Sequence, residues 1–588
     1  MPRPDETVTL PFEPLLRRIG EAADALGVEA YAVGGAVRDA LLGRETTDID
    51  IVAVDPAGAP RVGIRLAEAV AKASGAKPPN VYPAFGTAAV TLYDAVDDAA
   101  GEAERQRLVV EFVGARKESY RRESRKPIVE DGTLADDLAR RDFTVNALAV
   151  RLNNEDVGSG QSPAADLTSG AGGDAPHPAS LVPPPPPNAF GQIVDLYGGL
   201  DDLSAGLLRT PLDPQVTFED DPLRMLRAAR FAAQLGFRVA PEALEAMREA
   251  AGRIEIVSQE RITDELGKTL AAPLPSLGFV ILHETGLLER VLPEISALAG
   301  TEAVGGHTHK DNLYHTLEVV DNLALLQAEE GLTGLRAGGF ALWLRWAALF
   351  HDVAKPDTKR FTHRTGWTFH GHEDLGARKH VPASFRRLKL PLGEPLAYVR
   401  KMVALHHRPI ALVDENVTDS AVRRLLFDAG EDVDDLMLLV RADVTSKNEK
   451  RRRRYLRGFD RVEAKMIEVE EKDKMRAWEP PVSGEEIMER LELPEGVAVG
   501  ILKERLREAV LDGEVPNEHD AAWAWVERQR PDAVRRGDLF MQMVRLVSGP
   551  EKRALGAIKE AVFWDDLPLA EADALAHLQR IKDKALEA

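Results

Sequence analysis

The spacing of apolar residues changes character part-way along this chain, and that change limits the folds open to it more than any single motif. From about Leu203 onward the interval is mostly three and four, as in PLRMLRAARFAAQLGF and LWLRWAALFHDVAK, the spacing of residues that share one face of a helix. Over the first 150 residues the pattern differs: an early helix is followed by short apolar stretches at AYAVGG, DIDIVAV, AAVTLY and LVVEFVG, separated by turn signals. An α+β chain is predicted, with a small mixed-sheet head and an all-helical remainder. No fixed-period repeat is evident.

With 588 residues, 44% of them hydrophobic, the chain can build several cores, roughly three or four domains. It has no cysteine, so a metal site must come from His, Asp and Glu. The amino terminus, MPRPDETVTLPFEP, lacks the regions of a secretory signal, and Arg345 interrupts the longest apolar run, GFALWLRWAALF. A cytoplasmic protein without a membrane span is predicted. Lys and Arg number 75 against 96 Asp and Glu, a net charge of −21 that by itself opposes contact with phosphates. Two segments run against that balance, ARKESYRRESRK from Arg116 to Lys126 and KNEKRRRRYLR from Lys447 to Arg457. Lys447, Lys450, Arg451, Arg452, Arg453 and Arg454 are the candidate contacts to RNA phosphates.

Two stretches are expected to be loops. Residues 153–192 are rich in Gly, Ser, Ala and Pro, ending in five prolines at Pro183 to Pro187, and read as a disordered insertion in a long hairpin loop. The acidic stretch DAVDDAAGEAERQR, Asp94 to Arg107, has no apolar face and is expected to be another extended loop.

The chemistry concentrates in YAVGGAVRDALLGRETTDIDIV. Gly34 and Gly35 follow a strand-like run and, lacking side chains, let backbone amides approach a triphosphate, while Arg38 offers a planar fork to its oxygens. Asp48 and Asp50 stand two apart in an apparent strand, so both carboxylates leave one face and repel unless cations lie between them. Two magnesium ions satisfy that arrangement and can assist in-line displacement at a phosphate. Glu111, in VVEFVGAR, is the candidate third carboxylate. A D-x-D pair alone is common in turns and solvated strand edges; its spacing from Arg38 and LLGR makes this one specific.

GGAVRDALLGR followed by DID resembles the signature of class II tRNA nucleotidyltransferases and bacterial poly(A) polymerases, within the polymerase beta superfamily. DLARRDFTVNALAV resembles the family's second motif, which implies that Arg141 and Asp142 contact the nucleotide. IVDLYGGLDDL resembles the flexible motif between head and neck, and VSQERITDELGKTL the motif that closes the neck. FEDDPLRMLRAARFAAQLGF resembles the nucleotide-selecting helix, although Asp220 stands where the family has Glu. Asp221, Arg224, Arg227 and Arg230 recur at intervals of three and are expected on one broad helix face. Asp221 would accept from an exocyclic amino group while Arg224 donates to the neighbouring ring nitrogen, a pattern shared by cytosine and adenine. Arg227 and Arg230 would meet phosphates or hold Asp221.

In the carboxy-terminal half, HTHKDNLYHTLEVVDN, LFHDVAKP, FHGHEDLGA, ALHHRP and RADVTSKN resemble the HD superfamily. The resemblance implies a divalent metal held by His315, His351, Asp352, His372, His406 and Asp443, with hydrolase activity left open. The divisions it implies are a nucleotidyltransferase head at 1–152, the insertion at 153–192, a neck at 193–275, a helical body with the HD domain at 276–450 and a helical tail at 451–588. The expected activity is addition of CCA to tRNA from CTP and ATP. The alternatives are a relative adding only C, only A or poly(A), an HD phosphohydrolase with a nucleotide-binding head, and an RNA-binding chaperone.

Overall fold

The chain's computed structural model describes residues 10–46, 48–83, 86–97, 103–121, 124–154, 190–301, 303–304, 307–308, 311–329, 340–364, 366–413, 418–446, 448–473 and 481–587. The apolar runs at the start form one seven-stranded sheet, with strands β1 (Glu29–Val33), β2 (Asp48–Val54), β3 (Asn80–Tyr82), β4 (Thr87–Asp97), β5 (Ala103–Gly114), β8 (Leu148–Arg151) and β9 (Ile193–Asp195). Their order is β3-β4-β5-β2-β1-β8-β9, while β6 (Arg116–Arg121) and β7 (Ser124–Asp131) pair as a separate ribbon. β2 and β5 run parallel and the other neighbours antiparallel, so the sheet is mixed. Helices α1 (Glu13–Leu26) and α3 (Val62–Ala73) pack together, α1 beside β1 and α3 across β2, β4 and β5. Ile49, Ile51, Val110 and Phe112, opposite in alternation to Asp48, Asp50 and Glu111, are buried, each contributing about 1.5–3 kcal/mol by its removal from water.

The acidic stretch corrects the sequence reading. Asp94 to Asp97 and Ala103 to Arg107 are not loop but continue the β4–β5 ladder, Asp94 opposite Gln106 and Asp97 opposite Ala103. Backbone pairing alone satisfies such a ribbon, so no apolar face announces it. Of the insertion expected at 153–192, residues 155–189 lie outside the described residues. Its flanks belong to the head: Asn153 is buried, accepting from the Ala30 amide at 2.8 Å and donating to the Val28 carbonyl at 2.9 Å. The strands on either side, β8 and β9, are antiparallel neighbours.

Short helices follow: α2 (Gly35–Leu41), α4 (Leu134–Ala139), α5 (Gly199–Ala205) and α6 (Pro214–Asp220), then α7 (Leu223–Leu235), α8 (Pro241–Ala250) and α9 (Gln259–Leu270). Beyond them the described residues are helical except for two two-stranded pieces, the larger at Arg360–Thr362 and Gly366–Thr368. It divides into two compact units, residues 1–397 and 398–588. Among the described residues the second contains helices and no strands, from Asp419–Ala429 and Val433–Ala442 through the long Glu449–Asp473 and His519–Leu546 to Glu571–Glu587. Among the described residues no helix is long and apolar enough to cross a membrane.

Arg345, the one charge in the most apolar run, is 4% exposed. Its guanidinium donates to Gln327 Oε1 at 2.7 Å and to the carbonyls of Leu270 and Ala272, at 2.9 and 2.7 Å, where α9 ends. Burial pushes its pKa down to about 10, Asp321 opposing. A cation there satisfies carbonyls that have no partner within the helix. Arg345→Met should therefore cost about 3 kcal/mol in urea unfolding, because the carbonyls stay buried once their donor is gone. A cost below about 0.5 kcal/mol, the level of a typical surface substitution, would exclude this capping role.

Candidate active site

β2 alternates exposed and buried residues at its start, so Asp48 and Asp50 point into a cleft and Ile49 away from it. Asp50 stands in register with Glu111 on β5, bringing the three carboxylates to one face of adjoining strands. Limited hydration at the cleft floor raises the carboxyl of Asp50, with Arg141 opposing and Asp48 and Asp137 adding to the rise. Glu111 is raised for the same reason, then by Asp50 and Asp48. An all-oxygen donor set under mutual repulsion fits magnesium.

The glycine turn lies between β1 and α2. Gly34 has φ 76° and ψ −132°, outside what an L side chain adopts easily, and a Cβ there would meet Arg141 Nη1 at 2.7 Å. Gly35 needs no such exemption. Arg38 lines the cleft, but its fork is engaged: Nε and Nη2 donate to Asp39 at 2.9 and 2.8 Å and Nη1 to Asn146 Oδ1 at 2.7 Å. Arg141 donates to Asp137 at 3.1 Å, and the buried Asp137 also holds Arg140.

Across the cleft stand α6, α7 and α9. Asp221 is not on the helix face expected for it, because α6 stops at Asp220 and α7 begins at Leu223. Pro222 disfavours helical backbone in the residue before it, and Asp221 takes φ −134° and ψ 97°. It accepts the Leu223 amide at 3.3 Å and lies 3.6 Å from Arg261 of α9. Arg224, in the first turn of α7, donates to the Arg140 carbonyl and, at 3.4 Å, to that of Thr217.

Arg227 and Arg230 do not hold Asp221. Arg227 grips Asp142, with Nε at 2.7 Å and Nη2 at 2.6 Å from Oδ2. The other oxygen of Asp142 accepts from the Phe143 amide and Asn146 Nδ2, both at 2.9 Å, so protein groups fill its carboxylate. Burial would raise this carboxyl, but Arg227 and Asn146 hold it far below the usual range. Arg230 donates to Glu265 at 2.6 Å and to Gln234 at 3.1 Å.

Together these residues line a cleft of about 650 Å³ that holds Asp48, Asp50 and Glu111 on one side and Asp221 and Arg224 on the other. Sequence reasoning missed several participants: Phe231, ringed by the guanidinium groups of Arg38, Arg227 and Arg230 at 5.1, 5.3 and 4.0 Å; Asn146, which joins Arg38 to Asp142; and Arg261 and Glu265 of α9. Phe231 sits inside the motif already singled out, one position after Arg230, which was its only signal.

The histidine set is distributed over both units. In the first, Asp352, 1% exposed, lies 3.5 Å from His315 Nε2, 3.2 Å from His351 Nε2 and 3.3 Å from His372 Nε2. The Nδ1 atoms of His351 and His372 face the carbonyls of Ala348 and Phe369 at 2.7 and 2.8 Å. A carbonyl only accepts, so Nδ1 carries the proton and Nε2 is turned toward the carboxylate, the orientation of a metal ligand. Against burial, His351 and Lys355 hold the carboxyl of Asp352 well below its ordinary value. In the second unit, His406 is buried with Nδ1 2.7 Å from the Val403 carbonyl, and Asp443 ends the helix Val433–Ala442.

Of the basic segments, Arg116 lines the cleft, and side chains from Glu118 to Lys126 lie outside the described residues, as does Lys447. Lys450 and Arg451 to Arg454 are exposed in the opening turns of Glu449–Asp473, where cations oppose the helix dipole. Arg453 donates to Glu449 at 3.1 Å, and Arg451 and Arg454 flank the ring of Tyr455 at 5.7 and 5.5 Å.

Three family models match: "Poly A polymerase head domain" over residues 30–171, "Probable RNA and SrmB- binding site of polymerase A" over 236–298 and "HD domain" over 312–447. The chain is 32% identical to an A-adding tRNA nucleotidyltransferase of Deinococcus radiodurans, over 67% of this chain and 79% of that protein. It is 31% identical to a multifunctional CCA protein of Nitrosomonas europaea, over 68% and 81%, and 31% identical to a CC-adding tRNA nucleotidyltransferase of Thermus thermophilus, over 84% and 92%. Its fold resembles that of the Bacillus stearothermophilus CCA-adding enzyme solved with CTP, with a TM-score of 0.52 at 23% identity, covering 89% of this chain and 99% of that one.

A carboxyl held below its unfolded value stabilises the fold above about pH 4 and loses that contribution as the pH falls. Asp142→Asn should therefore cost about 2 kcal/mol in urea unfolding at pH 7, and the gap to wild type should shrink toward pH 3. A gap that is the same at both pH values would mean that Asp142 acts through shape and not charge.

Proposed function

The chain belongs to the class II tRNA nucleotidyltransferase and poly(A) polymerase family, with an HD domain, and from that premise we propose that it adds CCA to tRNA 3′ ends from CTP and ATP. The observation that carries this reading is the single cleft, with three strand carboxylates on its head side and Asp221 with Arg224 on its neck side. The 3′ oxygen of the RNA bonds to the α-phosphorus as the bond to pyrophosphate breaks, and the hydroxyl proton passes to solvent water. Asp48, Asp50 and Glu111 would hold magnesium, which when bound activates that hydroxyl and neutralises the departing pyrophosphate.

The remaining roles follow from placement. The open backbone at Gly34, with Arg141 beside it, faces the triphosphate. Asp221 and Arg224 read the amino group and ring nitrogen that cytosine and adenine share and that uracil and guanine replace with a carbonyl and a protonated nitrogen. Asp142, filled by Arg227 and Asn146, acts as an anchor for α7. Exposed Lys450 and Arg451 to Arg454 meet tRNA phosphates. The division into head, insertion, neck, body and tail and a cytoplasmic location belong to the same proposal. Addition of C alone or of A alone is the competing reading, since relatives of similar identity carry both names.

Three tRNA transcripts, ending before CCA, after C and after CC, test the proposal when each labelled nucleotide is supplied separately with magnesium. CMP on the first two and a single AMP on the third, without GMP or UMP, is the expected result. C alone, A alone or long A tails would assign a specialised relative, and no incorporation would end the reading. Asp50→Ala should lower kcat/KM at least about a thousandfold, equal to about 4 kcal/mol of transition-state stabilisation, and chelating the magnesium should stop incorporation.

A further inference from the structure

Three guanidinium groups crowd one aromatic ring beside the cleft, an arrangement that is stable only if anions balance it. Arg38 has Asp39, and Arg227 has Asp142. Arg230 relies on Glu265, whose carboxylate is 2.6 Å from its Nε; its Nη1 goes to the neutral Gln234. Glu265 is 3% exposed, so water cannot replace it, and its second oxygen lies 4.0 Å from Arg227 Nη1. It does not line the cleft, so what it does there it does through the two arginines.

We propose that Glu265 is a positioning residue for nucleotide selection: from α9, its buried carboxylate holds Arg230 and Arg227 and thereby sets the turn of α7 that presents Arg224, with Asp221 just before it. The proposal rests on the reading of Asp221 and Arg224 as the base-recognising pair. α9 packs along α7, and one turn before Glu265 it carries Arg261, 3.6 Å from Asp221. The helix thus presents cation then anion, at i and i+4, to a segment that runs anion then cation. Burial lowers the pKa of Arg230 and Glu265 opposes that fall, so removing the carboxylate leaves a poorly hydrated cation against Phe231 and Arg227. The expected consequence is a displaced Arg224 and weaker discrimination, while the strand carboxylates that serve the chemical step stay where they are.

The test compares wild type with Glu265→Gln, Glu265→Asp and the double variant Glu265→Gln with Arg230→Gln. It reads kcat and KM for CTP and ATP, CMP incorporation against UMP, and thermal unfolding. Glu265→Gln is expected to raise KM for both nucleotides and lower the preference for CMP, each by about tenfold, with kcat changed less than about threefold. The double variant, lacking both halves of the pair, is expected to recover most of that loss. Unmoved KM and preference overturn the proposal, as does a fall in kcat and thermal stability without a change in either. If Glu265→Gln does not fold, Glu265→Asp decides: raised KM with reduced preference supports the role and wild-type values overturn it. Wild type in the same assay separates the two levels. Normal incorporation by wild type with unmoved variants ends only the role of Glu265, whereas no incorporation by wild type ends the reading beneath it as well.

Discussion

The ion pair of Asp142 with Arg227 joins the two halves of the cleft. One half is a face of the two interior strands β2 and β5 carrying three carboxylates, and the other is the junction of α6 and α7 carrying Asp221 and Arg224. Neither half is a site alone, since a polymerase must hold the reacting phosphate and the base together. Taking a buried carboxylate and a half-buried guanidinium from water is costly, which geometry must offset. Here both oxygens of Asp142 are filled and Arg227 donates through two nitrogens, so the pair resists sliding as well as separation.

Around that pair, charge is arranged by neighbours in space. Asp137 holds Arg140 and Arg141, Asp39 holds Arg38, and Glu265 holds Arg230. A cleft that must receive a polyanion is thus lined by cations whose orientation is set from behind by carboxylates. The carboxyls of Asp50 and Glu111 stay raised, that of Asp50 in spite of Arg141, consistent with a place kept for metal cations. The three imidazoles around Asp352 follow another logic: carbonyls fix the tautomers of two, and their Nε2 atoms turn inward toward one carboxylate.

Much of this was legible in the chain because it depends on local spacing. Two aspartates two apart in a strand share a face whatever packs around them, and a helix shows itself by intervals of three and four. Glu111 could be read as a strand carboxylate, but only the pairing of β2 with β5 set it beside Asp50. The β4–β5 ribbon was not legible, since a ladder held by backbone groups leaves no apolar signature, and Asp221 was misplaced because periodicity was followed past Pro222.

By itself, then, the sequence determined the order of sheet and helices, the strand face that Asp48 and Asp50 share and the motifs that identify the family, all of which depend on residues close together in the chain. Only the tertiary structure decided which charge answers which. Asp142 meets Arg227 across 85 residues, and Arg230 meets Glu265 across 35. Many carboxylates stood available to each arginine, and packing brought one within hydrogen-bond reach while excluding the water that would have let any other serve.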